Sequence, residues 1–315
     1  MLLHYFNKMG GVLLIKKLFY NHVFLYTVYM FLVLPKNRFG LEILAELIEK
    51  KIEEKLKRKY RRIITNANRI LHTNRNTKVI WFCWLQGIEN APELVKSNLK
   101  RICYYFSDYT VKLITAENFG EFTELPSYII QKYQNGIITH THFSDILRTN
   151  LLIRNGGIWI DATVFTTGYL PPDIENSSFF LFRSQKPGSA GKCITVSSWF
   201  IACTQNHPIM LLVQDLLFAY WKHNNYLCDY FLFHLFVEIA LEHYESFSSE
   251  MPKYSNEPAH LLLYELTNPF SKEKYDAIVP LSFVQKLTMK LSEHDKNKED
   301  TFYKKLLDTE KKERL

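Results

Sequence analysis

The residues best suited to chemistry lie in SDILRTNLLIRNGGIWIDATVF, Ser144 to Phe165. Asp145 and Arg148 are three apart, so on a helix they share a face. Taken alone, they read as a first-turn acid favoured by the helix dipole and loosely paired with an arginine. Asp161 shifts that balance. GGIWIDATVF is almost continuously apolar, as in a central strand covered on both faces. A carboxylate there is costly unless it is paired, hydrogen-bonded or placed at a strand end. Ligands of open α/β sheets bind beyond the carboxyl ends of the strands. A helix bearing an acid and a base, then a glycine turn, then a strand delivering a second acid, can therefore converge on one ligand.

The elements that position these groups follow from periodicity. Ser144 is a suitable N-cap, Ile146, Leu147, Leu151 and Leu152 form a buried stripe, and Asn155-Gly156 supplies a left-handed stop. Upstream, KVIWFCWL is a strand beginning at Lys78, a helix opens at Pro92, YTVKLIT alternates like a second strand, and LPSYIIQKYQNG is a helix ended by Asn135-Gly136. Downstream come the strands SSFFLFRS and SSWFIAC, a helix from Asn206-His207-Pro208 to about Tyr220, and a helix beginning near Asp229. A charged terminal helix, SEHDKNKEDTFYKKLLDTEKKERL, closes the chain. Strands alternating with helices predict an α/β domain with a largely parallel sheet over residues 71–315. Residues 1–70 read as a helical N-terminal region, because LEILAELIEKKIEEKLKRKY has helical spacing and neither Pro nor Gly.

Composition bounds the class. A chain of 315 residues with 47% hydrophobic and 15% aromatic content can build a large core, which excludes a disordered protein. The net charge of +7 suits a polyanionic ligand or an anionic membrane surface. Five cysteines include no CxxC pair, which argues for reduced thiols in a cytoplasmic protein and against zinc. HVFLYTVYMFLVLP, His22 to Pro35, is apolar and uncharged, too short to span a bilayer and without a small-residue cleavage site. With Lys16 and Lys17 before it and KKIEEKLKRKYRR after it, two readings stand: peripheral contact with the inner face of the plasma membrane, or a helix packed on the α/β domain. Confinement of the basic run to this region disfavours a nucleic-acid partner.

FSDILRTNLLIRNGGIWIDATV also resembles the central motif of the capsular polysaccharide synthesis proteins, bacterial relatives of glycosyltransferase family 32 and, more distantly, of the large clostridial glucosylating toxins. The shared pattern is Ser-Asp-x-x-Arg, a spacer, then Gly-Gly-x-aromatic-x-Asp-x-(Asp or Thr), and the likeness runs from about Lys78 to Lys290. It implies a GT-A-type, Rossmann-like fold that binds a nucleotide sugar beside a divalent cation. Asp145 and Arg148 would then hold the donor, Trp84, Gln86 and Gly87 would line the nucleotide pocket, and Gly156 and Gly157 would allow the close turn beside the donor. Asp161 would be the acid of a DxD-like element. Thr163 stands where the wider family has a second acid, as is common in the capsular branch. Asp161 and Thr163 would hold Mg2+ or Mn2+ only weakly, with the nucleotide diphosphate completing the shell. In LSFVQKLTMK, Gln285 stands where the resemblance leads one to expect histidine, and Lys286 reads either as a neutraliser of the leaving diphosphate or as a surface lysine. Asp229 either faces the acceptor, as a base if the reaction inverts, or caps a helix; His207 reads as a cap.

The implied activity is transfer of a hexose, most simply from a UDP-sugar and with retention of configuration, to a growing capsular or surface polysaccharide on a glycan or lipid-linked oligosaccharide acceptor. The competing reading is a non-catalytic sugar-nucleotide or glycan-binding subunit of a synthesis complex, motivated by Thr163 and Gln285.

Overall fold

The computed structural model describes residues 12–67, 77–184 and 194–308. The expected boundary near residue 70, Cys193 and the last residues of the charged terminal segment lie outside them. Three helices come first: α1 (Val12–Tyr20), α2 (Phe24–Val33) and α3 (Arg38–Lys59). The body follows as β1 (Val79–Cys83), α4 (Glu93–Tyr105), β2 (Thr110–Ile114), α5 (Ser127–Gln134), α6 (His140–Asn155), β3 (Gly157–Ile160), β4 (Val164–Thr166), β5 (Phe179–Arg183), β6 (Val196–Cys203), α7 (Pro208–His223), α8 (Leu232–His243) and β7 (Val284–Lys286). Short helical turns join them.

A five-stranded sheet in the order β2-β1-β3-β6-β5 is the centre of an α/β fold. β1 pairs in parallel with β2 and β3, and β6 runs antiparallel to both β3 and β5. Four strands therefore point one way and β6 points back, which makes the sheet mostly parallel, as expected. Side-chain alternation sorts the two faces. Trp81, Trp159, Leu181 and Ile201 enter a core with α6, α7 and α8. Ile80, Phe82, Ile158, Ile160, Phe180 and Phe200 enter a second core with Val95 and Ile102 of α4. Leu44, Ile48, Ile52 and Leu56 of α3 belong to the first of these cores, so the N-terminal helices share apolar packing with the α/β body.

The structure corrects three sequence readings. The strand read through GGIWIDATVF is broken: Val164 N donates to Asp161 O at 2.9 Å, and this turn separates β3 from β4. The helix carrying Asp145 starts four residues before Ser144, at His140, with Thr139 as the cap whose side chain accepts from His142 N; a hydroxyl at either position satisfies the same rule. The charged terminal segment forms two short helices, Glu293–Asn297 and Phe302–Asp308, with Asp300 at φ 56° between them. Cys83, Cys103, Cys203 and Cys228 are free thiols, and Cys103 is exposed.

Gly156 and Gly157 hold the α6–β3 junction, with φ of 67° and 96°. A Cβ on Gly157 would stand 2.4 Å from Val79 O of the neighbouring strand. Gly157→Ala is therefore expected to cost about 3 kcal/mol, from left-handed backbone strain added to overpacking. Urea denaturation measures this, and an unchanged midpoint would contradict the account.

Candidate active site

Register decides what meets at the carboxyl edge of the sheet. Phe82 pairs with Ile160, so Cys83 and Trp84, which follow Phe82, come level with Asp161. Ile160 also pairs with Phe200, and Asp161 N donates to Trp199 O at 2.9 Å. β4 pairs with β7 so that Val164 faces Lys286, which delivers a lysine from 125 residues away in sequence to the turn after β3.

These elements assemble one network. Arg148 Nη2 donates to Asp161 Oδ1 at 3.0 Å, while Nη1 lies 3.1 Å from Asp145 Oδ1 and donates to Ser198 O at 2.8 Å. The guanidinium also lies over the rings of Trp159 and Phe233, at 4.9 and 5.4 Å. Trp159 Nε1 donates to Asp161 Oδ1 at 2.8 Å. Lys286 Nζ donates to Asp161 Oδ2 at 3.1 Å and closely to Thr163 Oγ1. His142 Nδ1 lies 3.3 Å from Asp145 Oδ2, without the alignment of a hydrogen bond. Asp145 and Arg148 are buried, whereas Asp161 and Lys286 keep 24% and 21% of their side chains open. The cluster thus has a closed inner end and an accessible outer end.

Electrostatics follow the geometry. Burial alone would raise the Asp161 pKa, but the charges of Lys286 and Arg148 and the Trp159 hydrogen bond outweigh it and hold the carboxyl at about 2. Asp161 is therefore an anion at any physiological pH, and two acids and two bases give the cluster no net formal charge. Burial pushes the Cys83 thiol up to about 12, with Arg148 and Asp161 acting in opposite senses beside it. The hydroxyl of Tyr230, whose ring is exposed, is raised first by burial and then by the Asp145 and Asp161 charges.

The expected site residues fall into two groups. Asp145, Arg148, Asp161, Thr163 and Lys286 come together. Trp84, Gln86 and Gly87 follow β1 along the same edge: Gln86 is exposed, Gly87 has φ 81° with open space around it, and the Trp84 indole Nε1 is buried without a hydrogen-bond partner. Gly156 and Gly157 stand apart, at the opposite end of β3, about 13 Å away along a four-residue strand; the backbone alone accounts for them. Asp229 also turns away: Oδ1 accepts from Phe231 N at 2.8 Å and Oδ2 pairs with Lys17 of α1 at 2.5 Å, so its carboxylate serves the fold. Gln285 is a structural residue too, bonded to Leu262 N and Pro258 O, and His207 caps α7 as expected.

Sequence reasoning gave Trp159, Tyr230 and Ser198 no role here. Trp159 was within reach, since residues two apart on a strand point the same way. Ser198 contributes only a carbonyl, which no side-chain pattern reveals.

The same geometry tests the expected cation. Asp161 already accepts from Arg148, Trp159 and Lys286, three of about four lone-pair directions, and Thr163 Oγ1 is occupied by the Lys286 ammonium. Among the described residues no group of three His, Cys, Asp or Glu side chains could hold a metal ion. As the side chains stand, they do not fit a divalent cation; the ammonium of Lys286 occupies the place between Asp161 and Thr163.

Comparison with known proteins adds a family. A family model described as capsular polysaccharide synthesis protein matches residues 36–306. That match takes in α3, which the resemblance read from sequence left out. No curated protein matches the chain. Among solved structures, one titled "PaToxG Glycosyltransferase" is similar at 16% identity and a TM-score of 0.39, covering 84% of this chain and 97% of that one.

Proposed function

The chain belongs to the capsular polysaccharide synthesis protein family, and from that premise we propose that it is a glycosyltransferase acting on a nucleotide-sugar donor. The observation that carries the reading is the Arg148–Asp161–Lys286 network at the carboxyl edge of a mostly parallel sheet. Ligands of such sheets bind at that edge, and a sugar diphosphate leaves with charge that fixed cations must stabilise.

In the proposed reaction the bond from the sugar anomeric carbon to the diphosphate oxygen breaks, and its electron pair goes to the phosphate. An acceptor hydroxyl oxygen forms the new bond to that carbon. Its proton passes to the leaving phosphate, so no protein base is required and configuration is retained. Lys286, the more open of the two cations, receives the diphosphate charge. Arg148, pinned by Asp145 and Ser198, keeps Asp161 in place. Asp161 supplies the fixed negative charge that favours the positive charge developing on the sugar, as carboxylates do in glycoside chemistry. The donor proposed is a UDP-hexose, and the acceptor a glycan or lipid-linked oligosaccharide of a growing capsular or surface polysaccharide. A divalent cation, where present, would neutralise phosphate charge, with Asp161 and Thr163 as the residues able to approach it once Lys286 withdraws.

Incubation with a panel of UDP-sugars tests this. Slow release of UDP from one donor is expected, and Lys286→Met should lower it at least about 100-fold, in the range found for the loss of one transition-state charge partner. Chelation with EDTA should leave the rate nearly unchanged, because Lys286 holds the cation position. Loss of activity with EDTA and recovery with Mn2+ would instead assign the diphosphate to a cation. Donor binding without turnover, even with acceptor glycans, would favour a sugar-nucleotide-binding subunit. Absence of both donor binding and turnover would overturn the proposal.

A further inference from the structure

The first two helices carry apolar side chains that nothing among the described residues covers. On α2, Leu25, Val28, Tyr29, Leu32 and Val33 are exposed, Leu25 at 81% and Leu32 at 71%. Their spacing is one side of a helix. The other side is engaged: Thr27 is buried, and Phe24, Met30 and Phe31 pack on the core. Phe19 and Tyr20 of α1 and Phe39 at the start of α3 extend the exposed surface. Apolar surface of this extent on a folded chain marks an interaction site.

Charge identifies the partner. α2 contains no charged residue, while Lys16, Lys36 and Arg38 flank it and are exposed. Residues 12–67 hold twelve Lys and Arg against five Asp and Glu, a net charge of +7, equal to that of the whole chain. Of those acids Glu49 and Glu53 are buried, and Glu42 and Glu54 are paired with Arg38 and Lys51. An uncharged apolar face within a basic surround matches an anionic lipid surface, where apolar side chains enter the interface and cations meet the headgroups. At ten residues, α2 is about 15 Å long, half the hydrocarbon thickness of a bilayer. Among the described residues no helix is long and apolar enough to cross a membrane. The geometry is that of a helix lying on the surface.

The position of the hairpin adds a consequence. Its residues precede the family match, which begins at residue 36. They are nevertheless fastened to the segment bordering the candidate site: Asn21 Nδ2 donates to Cys228 O at 2.8 Å, Lys17 pairs with Asp229, and the Tyr20 and Tyr226 rings stack at 4.1 Å. That segment leads directly into α8, whose Phe233 ring lies 5.4 Å from the Arg148 guanidinium.

We propose that α1 and α2 form a docking device for an anionic bilayer, with the apolar side of α2 in the interface and Lys16, Lys36 and Arg38 at the headgroups. Docking brings the Tyr226–Tyr230 segment, which leads into α8 beside Arg148, to the lipid surface, so a lipid-borne acceptor is met there.

Sedimentation of the full chain with vesicles tests the proposal. Binding to phosphatidylcholine vesicles containing phosphatidylglycerol is expected, with weaker binding to phosphatidylcholine alone and at high salt. Leu25→Asp and Leu32→Asp should each lower the partition coefficient at least about tenfold, since burying one leucine is worth at least that factor. Urea denaturation and donor turnover in solution should stay unchanged, which keeps this test separate from that of the proposed activity. Lys36→Glu with Arg38→Glu should weaken binding to the anionic vesicles only. Absence of binding, or undiminished binding of the leucine variants, would overturn the proposal. So would a dimer, seen by light scattering, that the leucine substitutions dissolve, because a second copy would then be the occupant.

Discussion

Replacing Arg148 with methionine is expected to destabilise the fold by about 3–5 kcal/mol, the usual consequence of removing one member of a buried ion pair. The size follows from what the guanidinium does at once. It partners the buried Asp145, contributes one of two cations to Asp161, satisfies Ser198 O and covers the faces of Trp159 and Phe233. Methionine keeps much of the apolar contact but leaves Asp145 with only the poorly aligned His142 nearby. Arg148→Lys keeps the charge and loses the fork. One ammonium cannot reproduce two Nη atoms that reach Asp145 and Ser198 on one side and Asp161 on the other. Lysine is therefore expected to recover less than half of the loss. Urea denaturation of the two variants distinguishes charge from geometry: equal recovery to wild-type stability by lysine would mean that the fork is irrelevant. Donor turnover should fall in both, because Asp161 loses its anchor in both.

Much of this arrangement was legible in the chain because it is local. The α6 stripe, the glycine junction and the succession of strands and helices along the chain follow from periods of 3.6 and 2 and from the need for positive φ at Gly156 and Gly157. Asp161 declared itself through the cost of a charge in an apolar run. What stayed open or escaped depends on long-range pairing. Lys286 stood between a diphosphate partner and a surface lysine, and only the pairing of β7 with β4 brings it to Asp161. Ser198 enters through a carbonyl that the pairing of β6 with β3 brings to Arg148. Asp229 was open between acceptor contact and a helix cap; its bond from Phe231 N agrees with the cap, and the arrival of Lys17 from α1 adds an ion pair that no local pattern announces. The reversed direction of β6 was likewise hidden, since its apolar run reads the same for parallel and antiparallel neighbours. The exposed side of α2 was undecided in the sequence because a uniformly apolar helix does not say which of its sides the core takes.

Asp161→Asn is expected to separate binding from chemistry. Asparagine has nearly the shape of aspartate and can still accept from Trp159, but it removes the negative charge that balances Lys286 and Arg148. Turnover should fall by roughly 100- to 1000-fold, the range seen when one preorganised electrostatic group is lost. Affinity for UDP should hold or rise, because Lys286 no longer has a carboxylate competing with the diphosphate. Stability at neutral pH should fall by about 2 kcal/mol, at 1.36 kcal/mol per unit of depression, from a carboxyl moved from 3.8 to about 2. The sign with pH is fixed by that depression. The contribution is complete above the unfolded value near 4 and disappears as pH falls through about 2, so the stability gap between wild type and variant should close on acidification. Urea midpoints taken from neutral to acid pH, with UDP titration and donor hydrolysis at neutral pH, give all three readings. Turnover within threefold of wild type would remove Asp161 from the chemistry. Tighter UDP binding combined with lost turnover would tie the diphosphate to Lys286, and would answer how a site with threonine in place of a second acid manages its leaving group.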